Sequence, residues 1–279
     1  MSLSSSTVRT ATDSPLLSIV TPTYNSMRFF HETTESVLAL VEVDYEWIIV
    51  DDLSSDGTAA FVADLAATEP RVRFLPNDRR AGRASTNYLR GLECARGRYI
   101  LFLDHDDVLS ANGIQAALAS LEGSLDVHVA ISRVDYMDEN SHVYKTKSIP
   151  FASYGSVLGR RQMFWTVFLS PTYPLKQGAV VVRRALFAKT GPVFDFHLVL
   201  AATQFTDFAL IPIIGLRYRN VMGSTSARRI KEIDSFWIYP AMVYLPNNRY
   251  FGLAYVFTAY KVLVGCCKVI YSIFTPNRI

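Results

Sequence analysis

Three short polar runs in this chain could do chemistry together: Thr21-Pro22-Thr23-Tyr24-Asn25, Asp51-Asp52 and Asp104-His105-Asp106-Asp107. Each closes or directly follows an apolar run of strand length, LLSIVT (16–21), YEWIIV (45–50) and RYILFL (98–103). In an open α/β sheet, ligands bind beyond the C-terminal ends of the strands. Five carboxylates are therefore expected on one rim of one sheet. Like charges a few ångströms apart repel, so such a cluster calls for a cation or for substrate hydroxyls and amides. A hard divalent ion, Mg²⁺ or Mn²⁺, is the natural occupant, held by few carboxylates while a substrate phosphate completes its shell. Taken singly, each signal is weak. An Asp-Asp after a strand is more often a turn or a helix cap, and an Asp-x-Asp arises by chance or opens a class of phosphatases. Three strand ends, each with a suitable polar group and in a consistent order, carry the functional reading.

The elements that must position these groups follow from the apolar pattern. The three runs above and RVRFLP (71–76) lack alternation, which suits strands covered on both faces, as in a parallel sheet. Between them, residues 29–40, 58–67 and 84–95 carry apolar residues at helical spacing, and Asp56-Gly57-Thr58 supplies a turn and an N-cap. Strand and helix in alternation predict an α/β domain with right-handed crossovers, and VHVAIS (127–132) continues the sheet. Residues 133–176 are polar, aromatic and turn-rich, without a clear period. Beyond them, 177–183 reads as a strand, 195–206 as a short helix and 209–219 as a last strand. Segments 228–245 and 249–275 read as longer helices. The expected organisation is a loose Ser/Thr-rich tail (1–14), a domain over 15–225 divided near residue 121, and a helical region over 226–279.

Composition sets the outer bounds. Of 279 residues, 50% are hydrophobic and 19% charged, which excludes a disordered or fibrous chain. A formal charge of +3 is too small to suggest a nucleic-acid partner. Three cysteines, two of them the adjacent Cys266 and Cys267, form neither a disulfide framework nor a spaced zinc site, and a reducing compartment is expected. The first residues lack the apolar core of a secretory signal, and no uncharged apolar stretch of roughly 18 residues occurs. After Asp234 there is no acidic residue, while Arg249, Lys261, Lys268 and Arg278 are basic. Lys261 and Lys268, seven apart, share one side of a helix that is otherwise apolar and aromatic. Such a helix suits the headgroups of an anionic bilayer, the alternative being a helix packed on the α/β domain with its lysines on the wet face. A cytoplasmic protein lying peripherally on the inner face of the cell membrane is the expectation.

SIVTPTYN (18–25), WIIVDDLSSDGT (47–58) and ARGRYILFLDHDD (95–107) together resemble the N-terminal half of inverting family-two glycosyltransferases, which have the GT-A fold. The resemblance runs over about residues 16–121. The later half is more weakly similar to bacterial transferases that build cell-surface polysaccharides such as teichuronic acid. It implies metal-dependent transfer of a sugar from a nucleotide sugar to an acceptor hydroxyl, with 15–121 as the nucleotide-sugar half and 122–225 as the acceptor half, and a transferase lying on the membrane would act on a lipid-linked saccharide. Pro22, Thr23 and Tyr24 would frame the base, with Tyr24 stacked on it and Asn25 in the same nucleotide-binding set. Asp52 would accept a hydrogen bond from the base's imide nitrogen, which favours UDP. Asp104 and Asp106 would hold the ribose and the metal-bound diphosphate, and Asp107 would share the metal. Where the family has Gly-x-x-Ala-Ala-Arg-Asn, this chain reads Gly82-Arg83-Ala84-Ser85-Thr86-Asn87, with Arg83 as the diphosphate contact. Gln177, Gly178 and the loop 160–176 would flank the acceptor.

Inverting transfer needs a carboxylate to take the acceptor's hydroxyl proton and a cation to neutralise the leaving group. In the family that base is an Asp at the start of a helix, and both Asp195 (FDFHLVL) and Asp207 (TDFALIP) fit. The spacing to the aromatic-Arg pair Tyr218-Arg219 and to Ser224 and Ser226 favours Asp195, which leaves about three helical turns before the last strand. Rival classes fare worse. A phosphatase built on Asp104 would have that residue after its first strand, and no Gly-x-Gly-x-x-Gly follows the first strand to bind a dinucleotide. A non-catalytic scaffold or membrane anchor that keeps the fold is the remaining alternative.

Overall fold

The computed structural model describes residues 14–147, 149, 152–169, 175–193 and 195–221. The apolar runs become the middle of one sheet. In chain order the elements are β1 (Leu17–Thr23), α1 (Met27–Leu38), β2 (Tyr45–Asp51), α2 (Thr58–Thr68), β3 (Val72–Pro76), α3 (Ala84–Cys94) and β4 (Tyr99–Phe102). There follow β5 (Val108–Leu109), α4 (Ala111–Glu122), β6 (Val127–Met137), β7 (Val143–Lys147), β8 (Val157–Leu158) and α5 (Arg160–Leu169). A 3-10 turn at Gln177–Ala179 leads into β9 (Val180–Arg183), then α6 (Phe187–Thr190), α7 (Asp195–Ala202) and β10 (Asp207–Arg219). Every residue of β1, β2 and β4 is buried, as expected of strands covered on both faces.

The strand order is β3-β2-β1-β4-β9-β6-β10-β5, with β7 added beside β6 and β8 beside β10. β3, β2, β1 and β4 pair in parallel, and β10 pairs in parallel with β6. β9 runs against both β4 and β6, and β5 runs against β10. Six of the eight strands on this path therefore share one direction. Their C-terminal ends lie on one rim, and the antiparallel β9 begins at that same rim.

Two apolar cores cover the two faces. One joins Phe30 and Val37 of α1, Val62 of α2 and Ile114, Leu118 and Leu121 of α4 to the sheet. The other joins Tyr88 of α3, Met163 and Val167 of α5, and Leu198, Val199 and Ala202 of α7. Helix α3 lies close to the sheet because of Gly91, where a Cβ would stand 2.3 Å from Cγ1 of Val20. The alternation of strand and helix expected over 16–121 is present within one to three residues. Helix α4, the strand β5, and the strands and helix within 133–169 have no counterpart in the sequence reading. β7 is almost wholly exposed, so it shows no apolar period to read. The helix expected over 195–206 ends at Ala202, giving about two turns instead of three. The segments expected as C-terminal helices lie outside the described residues. Among the described residues, no helix is long and apolar enough to cross a membrane.

At the N-terminal rim, Glu46 ties three strands together. Its Oε1 accepts from Ser18 Oγ and the Arg96 N–H, both at 2.7 Å, and its Oε2 accepts from Arg73 Nη1 at 2.9 Å and from Arg96. Burial pushes this carboxyl up, but the hydrogen bonds from Arg96, Ser18 and Arg73 and the Arg96 charge outweigh it and hold it below the ordinary glutamate value. A carboxyl depressed in the folded state stabilises above its unfolded pKa, and that stability is lost as pH falls through the folded value. Glu46→Gln is expected to lower the unfolding free energy by about 2 kcal/mol at neutral pH. In urea titrations the gap to wild type should narrow as pH drops below the ordinary glutamate range; a gap unchanged in acid would refute the charge-based account.

Candidate active site

The crevice begins at a proline. The β1–β4 ladder ends at Val20 opposite Phe102, with the Leu103 N–H donating to the Val20 carbonyl at 3.0 Å. Pro22 faces the same side as Val20 and has no N–H to offer a neighbour. β1 stays paired with β2 as far as Thr23 opposite Asp51. Beyond Val20, β1 and β4 therefore separate, and a cleft opens at the C-terminal rim, beyond which α/β sheets take ligands.

One wall is the end of β1 knitted to the loop after β2. Asp51 accepts from Thr23 Oγ1 at 2.8 Å and from the Ser54 hydroxyl and N–H at 2.6 and 2.9 Å. These bonds hold Leu53 at φ 62°, a left-handed conformation that costs a non-glycine residue on the order of 1 kcal/mol. The Asn25 N–H donates to Ser54 Oγ, and its Oδ1 accepts from the Ser55 N–H at 2.8 Å. Asp56 completes the wall by accepting from the Thr58 N–H at 3.1 Å, at the start of α2, and from the Met27 N–H at 3.0 Å, at the start of α1. Thr23 and Asn25 thus spend their side chains on the wall. Tyr24 is left 38% exposed, with the Arg80 guanidinium 3.8 Å above its ring centre.

Asp52 holds the loop that carries Arg80. Its Oδ1 accepts from Asn77 Nδ2 at 2.7 Å and the Ala81 N–H at 2.6 Å, and its Oδ2 from the Gly82 N–H at 2.9 Å. Burial raises this carboxyl, yet the N–H groups of Ala81 and Gly82 and the Asn77 and Asn87 amides bring it below the usual aspartate value. Gly82 takes a left-handed φ of 69° in this loop. Arg83, the residue before α3, stands exposed beside it.

The other wall is the acidic loop after β4. Asp104 Oδ1 accepts from the Tyr88 hydroxyl at 2.6 Å and from Gln177 Nε2 at 2.9 Å, and no donor reaches Oδ2 among the described residues. Burial raises the Asp106 carboxyl, and the Asp104 charge adds to this against His105 and Arg219. Asp107 is fully buried and pushed well above the carboxylate range by that burial and by the Asp106 and Asp104 charges. The Arg219 N–H donating to its Oδ1 at 2.9 Å and the nearby Lys176 ammonium oppose the shift. Thr33 Oγ1 bridges the carbonyls of His105 and Asp107 at 2.9 and 2.8 Å.

Arg219 anchors that loop from the end of β10. Its Nε donates to the Asp106 carbonyl, its Nη1 to Ser141 Oγ and its Nη2 to Glu32 Oε2, each at 2.9 Å, and its guanidinium lies 4.6 Å from the Phe29 ring centre. Its side chain is wholly buried. The expected Tyr218-Arg219 pair is therefore at the site, in a structural role that its motif does not reveal. Tyr88 and Thr33 were not legible as site residues, since each is one polar residue inside an amphipathic helix.

The remaining expected residues sort unevenly. Gln177 and Gly178 reach the rim because β9 starts there. The Gln177 amide is given to Asp104 and Tyr88, and a Cβ at Gly178 would stand 2.7 Å from Leu216 Cδ1, so Gly178 serves close packing. Asp195 heads α7, as its choice as base requires. Asp207 accepts from the Arg160 N–H at 2.7 Å, at the first residue of α5. Among the described residues, no three His, Cys, Asp or Glu side chains stand arranged to hold a metal ion. The chemistry of the acidic loop still suits a hard cation, because Asp104, Asp106 and Asp107 stand close together without a salt bridge among the described residues.

The profile of "Glycosyl transferase family 2" matches residues 18–179, more than half of the chain. This chain belongs to glycosyl transferase family 2. The match covers both walls of the cleft and reaches Gln177. Among curated relatives, the putative teichuronic acid biosynthesis glycosyltransferase TuaG of Bacillus subtilis is 38% identical over 93 residues, 33% of this chain and 36% of TuaG. The UDP-Glc:alpha-D-GlcNAc-diphosphoundecaprenol beta-1,3-glucosyltransferase WfgD of Escherichia coli is 25% identical over 231 residues, 81% of this chain and 85% of WfgD. Among solved structures, S. aureus TarS in complex with UDP-GlcNAc superposes with a TM-score of 0.66 at 15% identity, covering 94% of this chain and 76% of that chain. The family-2 glycosyltransferase described here thus has the GT-A fold, with a mostly parallel sheet flanked by helices.

Arg219→Met is expected to cost about 3 kcal/mol of stability, because it leaves the Asp106 carbonyl and the Ser141 hydroxyl without their donor in a buried place. Arg219→Lys should recover only part of this, since one ammonium cannot span Asp106, Ser141 and Glu32 at once. Chemical denaturation of the three proteins checks the order; a lysine variant as stable as wild type would refute the strap.

Proposed function

We propose that this family-2 glycosyltransferase moves a sugar from a UDP-sugar, with inversion, to a hydroxyl of a lipid-linked saccharide in cell-surface polysaccharide synthesis. The observation that carries the reading is the cleft itself: Tyr24 and Asp52 on one side of the β1–β4 gap and the Asp104–Asp107 loop on the other. The solved TarS complex holds UDP-GlcNAc, and the WfgD name gives a UDP-glucose donor and a diphosphoundecaprenol-linked acceptor. TuaG is named for teichuronic acid synthesis.

Tyr24 stacks on the base, which takes the place of the Arg80 guanidinium over the ring. Asp52, kept ionised by its donors, accepts from the uracil imide and so selects against bases with an acceptor there. Asp104, fixed through Oδ1, offers Oδ2 to the donor. Asp104 and Asp106 are the residues to hold Mg²⁺ or Mn²⁺, with Asp107 behind them, and the ion supplies charge neutralisation for the departing diphosphate. Asp195, at the head of α7, takes the proton of the attacking hydroxyl. Arg83, exposed beside Gly82, pairs with the diphosphate. The domain over 15–225 carries the chemistry, and the region 226–279 brings it to the anionic inner face of the cell membrane.

A thermal-shift panel of nucleoside diphosphates, with and without Mn²⁺, tests the donor. Stabilisation by UDP that needs the metal is expected, and a preference for GDP would overturn the role of Asp52. Asp195→Asn should abolish transfer from UDP-sugar to a lipid-linked acceptor while the UDP shift survives; an active variant reassigns the base. Vesicle co-sedimentation with phosphatidylglycerol liposomes should fall when Lys261 and Lys268 are both changed to Glu, and equal sedimentation would sink the membrane contact.

A further inference from the structure

Beyond the acidic loop, away from Tyr24, the rim turns basic. Lys176, immediately before Gln177, holds its ammonium 3.7 Å from the Tyr218 ring centre and 5.9 Å from that of Tyr136. Lys147, at the end of β7, holds its ammonium 4.9 Å from the same Tyr136 ring. Tyr136 and Tyr218 pack edge to face, with centres 5.2 Å apart, on the neighbouring strands β6 and β10. Both lysines are partly buried. Neither enters a salt bridge with an Asp or Glu among the described residues. Burial, then the charges of Lys176 and Lys145, pull the Lys147 ammonium below the ordinary lysine value.

Two ammonium groups within 6 Å of one ring centre, partly desolvated and without a salt bridge among the described residues, repel each other. The rings beneath them return only part of that cost. An anion with more than one charge would remove it. The position narrows which anion. Lys176 reaches Asp107 electrostatically and adjoins Gln177, which grips Asp104, so the pair sits next to the reaction centre. It lies over β6, β7 and β10, whereas the cleft for the base lies between β1 and β4, on the far side of β9 and β4.

We infer that Lys147 and Lys176, seated on Tyr136 and Tyr218, bind a diphosphate carried by the acceptor. The inference rests on the transfer reading above and adds the acceptor's chemical class, a sugar whose anchor is attached through a diphosphate. Lysine suits the task, since a flexible point charge adapts to either phosphate of a mobile pair.

The test titrates farnesyl diphosphate, a short prenyl diphosphate, onto the full-length protein saturated with UDP and Mg²⁺, by calorimetry. With the donor cleft filled, binding is expected in wild type, at least tenfold weaker in Lys147→Gln/Lys176→Gln, and recovered in Lys147→Arg/Lys176→Arg. UDP affinity should stay within twofold throughout, which also reports that the variants are folded. The exposed Lys189→Gln is the control for loss of a lysine charge elsewhere on the surface and should bind as wild type does. If UDP affinity falls in step with the double substitution, the lysines serve the donor's diphosphate and the inference is overturned. Equal binding of farnesyl diphosphate by wild type and the double variant, or none by wild type, overturns it as well. UDP failing to bind wild type is a different result: it removes the donor reading, and this inference with it.

Discussion

The rest of the structure depends on keeping Asp104, Asp106 and Asp107 side by side at the end of one strand. Coulomb repulsion and burial both work against it, as the raised Asp106 and Asp107 carboxyls show. The loop persists because its backbone is held from two directions. Thr33 of α1 takes two of its carbonyl oxygens in turn, and Arg219 takes the Asp106 carbonyl while its own N–H satisfies Asp107. Neither residue removes the negative charge through a salt bridge with the loop. They fix the position of the charges and leave them in place for a ligand.

That arrangement explains why the second half of the sheet is needed at all. Arg219 is the last residue of β10, more than a hundred positions from the loop it holds. It reaches the rim because β10 runs parallel with β6 and slips register between Ile211 and Leu216. Such an irregularity bends a strand and re-aims the residues beyond the bend. The Ser110 N–H donating to the Gly215 carbonyl at 3.0 Å and the short pairing with β5 join this bent end to the segment after the acidic loop. The Arg219 guanidinium then ties α1, the β6–β7 turn and the loop into one unit, so the acidic loop is held by contacts that reach it from β10.

Legibility in the sequence divides along the same line. Strands buried on both faces announce themselves as unbroken apolar runs, and their C-terminal ends told where Asp52, Asp104 and Tyr24 would gather. The family resemblance of those three motifs agrees with the profile match over residues 18–179. Illegible were the residues whose role exists only in three dimensions. Tyr88 reads as one more amphipathic-helix residue until α3, brought close by Gly91, sets its hydroxyl against Asp104. Asp51 and Asp52 are neighbours in sequence, but alternation along the strand sends Asp51 to Thr23 and Ser54 and Asp52 to the 77–82 loop. The strand β7 and the segments between 133 and 169 carry exposed or mixed surfaces with no period to detect.

Two kinds of buried carboxylate share this fold, and their partners tell them apart. Glu46, at the N-terminal rim, is compensated by two guanidinium groups and belongs to the framework. At the C-terminal rim, Asp52 and Asp104 are held by neutral donors: backbone N–H groups, an asparagine, a tyrosine hydroxyl and a glutamine amide. Dipoles orient a carboxylate without cancelling its charge, whereas a guanidinium does both. None of Asp51, Asp52, Asp104, Asp106 and Asp107 forms a salt bridge among the described residues. The cleft thus retains negative charge on one wall and a carboxylate fixed by neutral donors on the other. At the acidic loop the buried Arg219 gives its charge to Glu32 and only its N–H groups to the loop, so the loop's own carboxylates keep their charge, unlike Glu46 at the opposite rim.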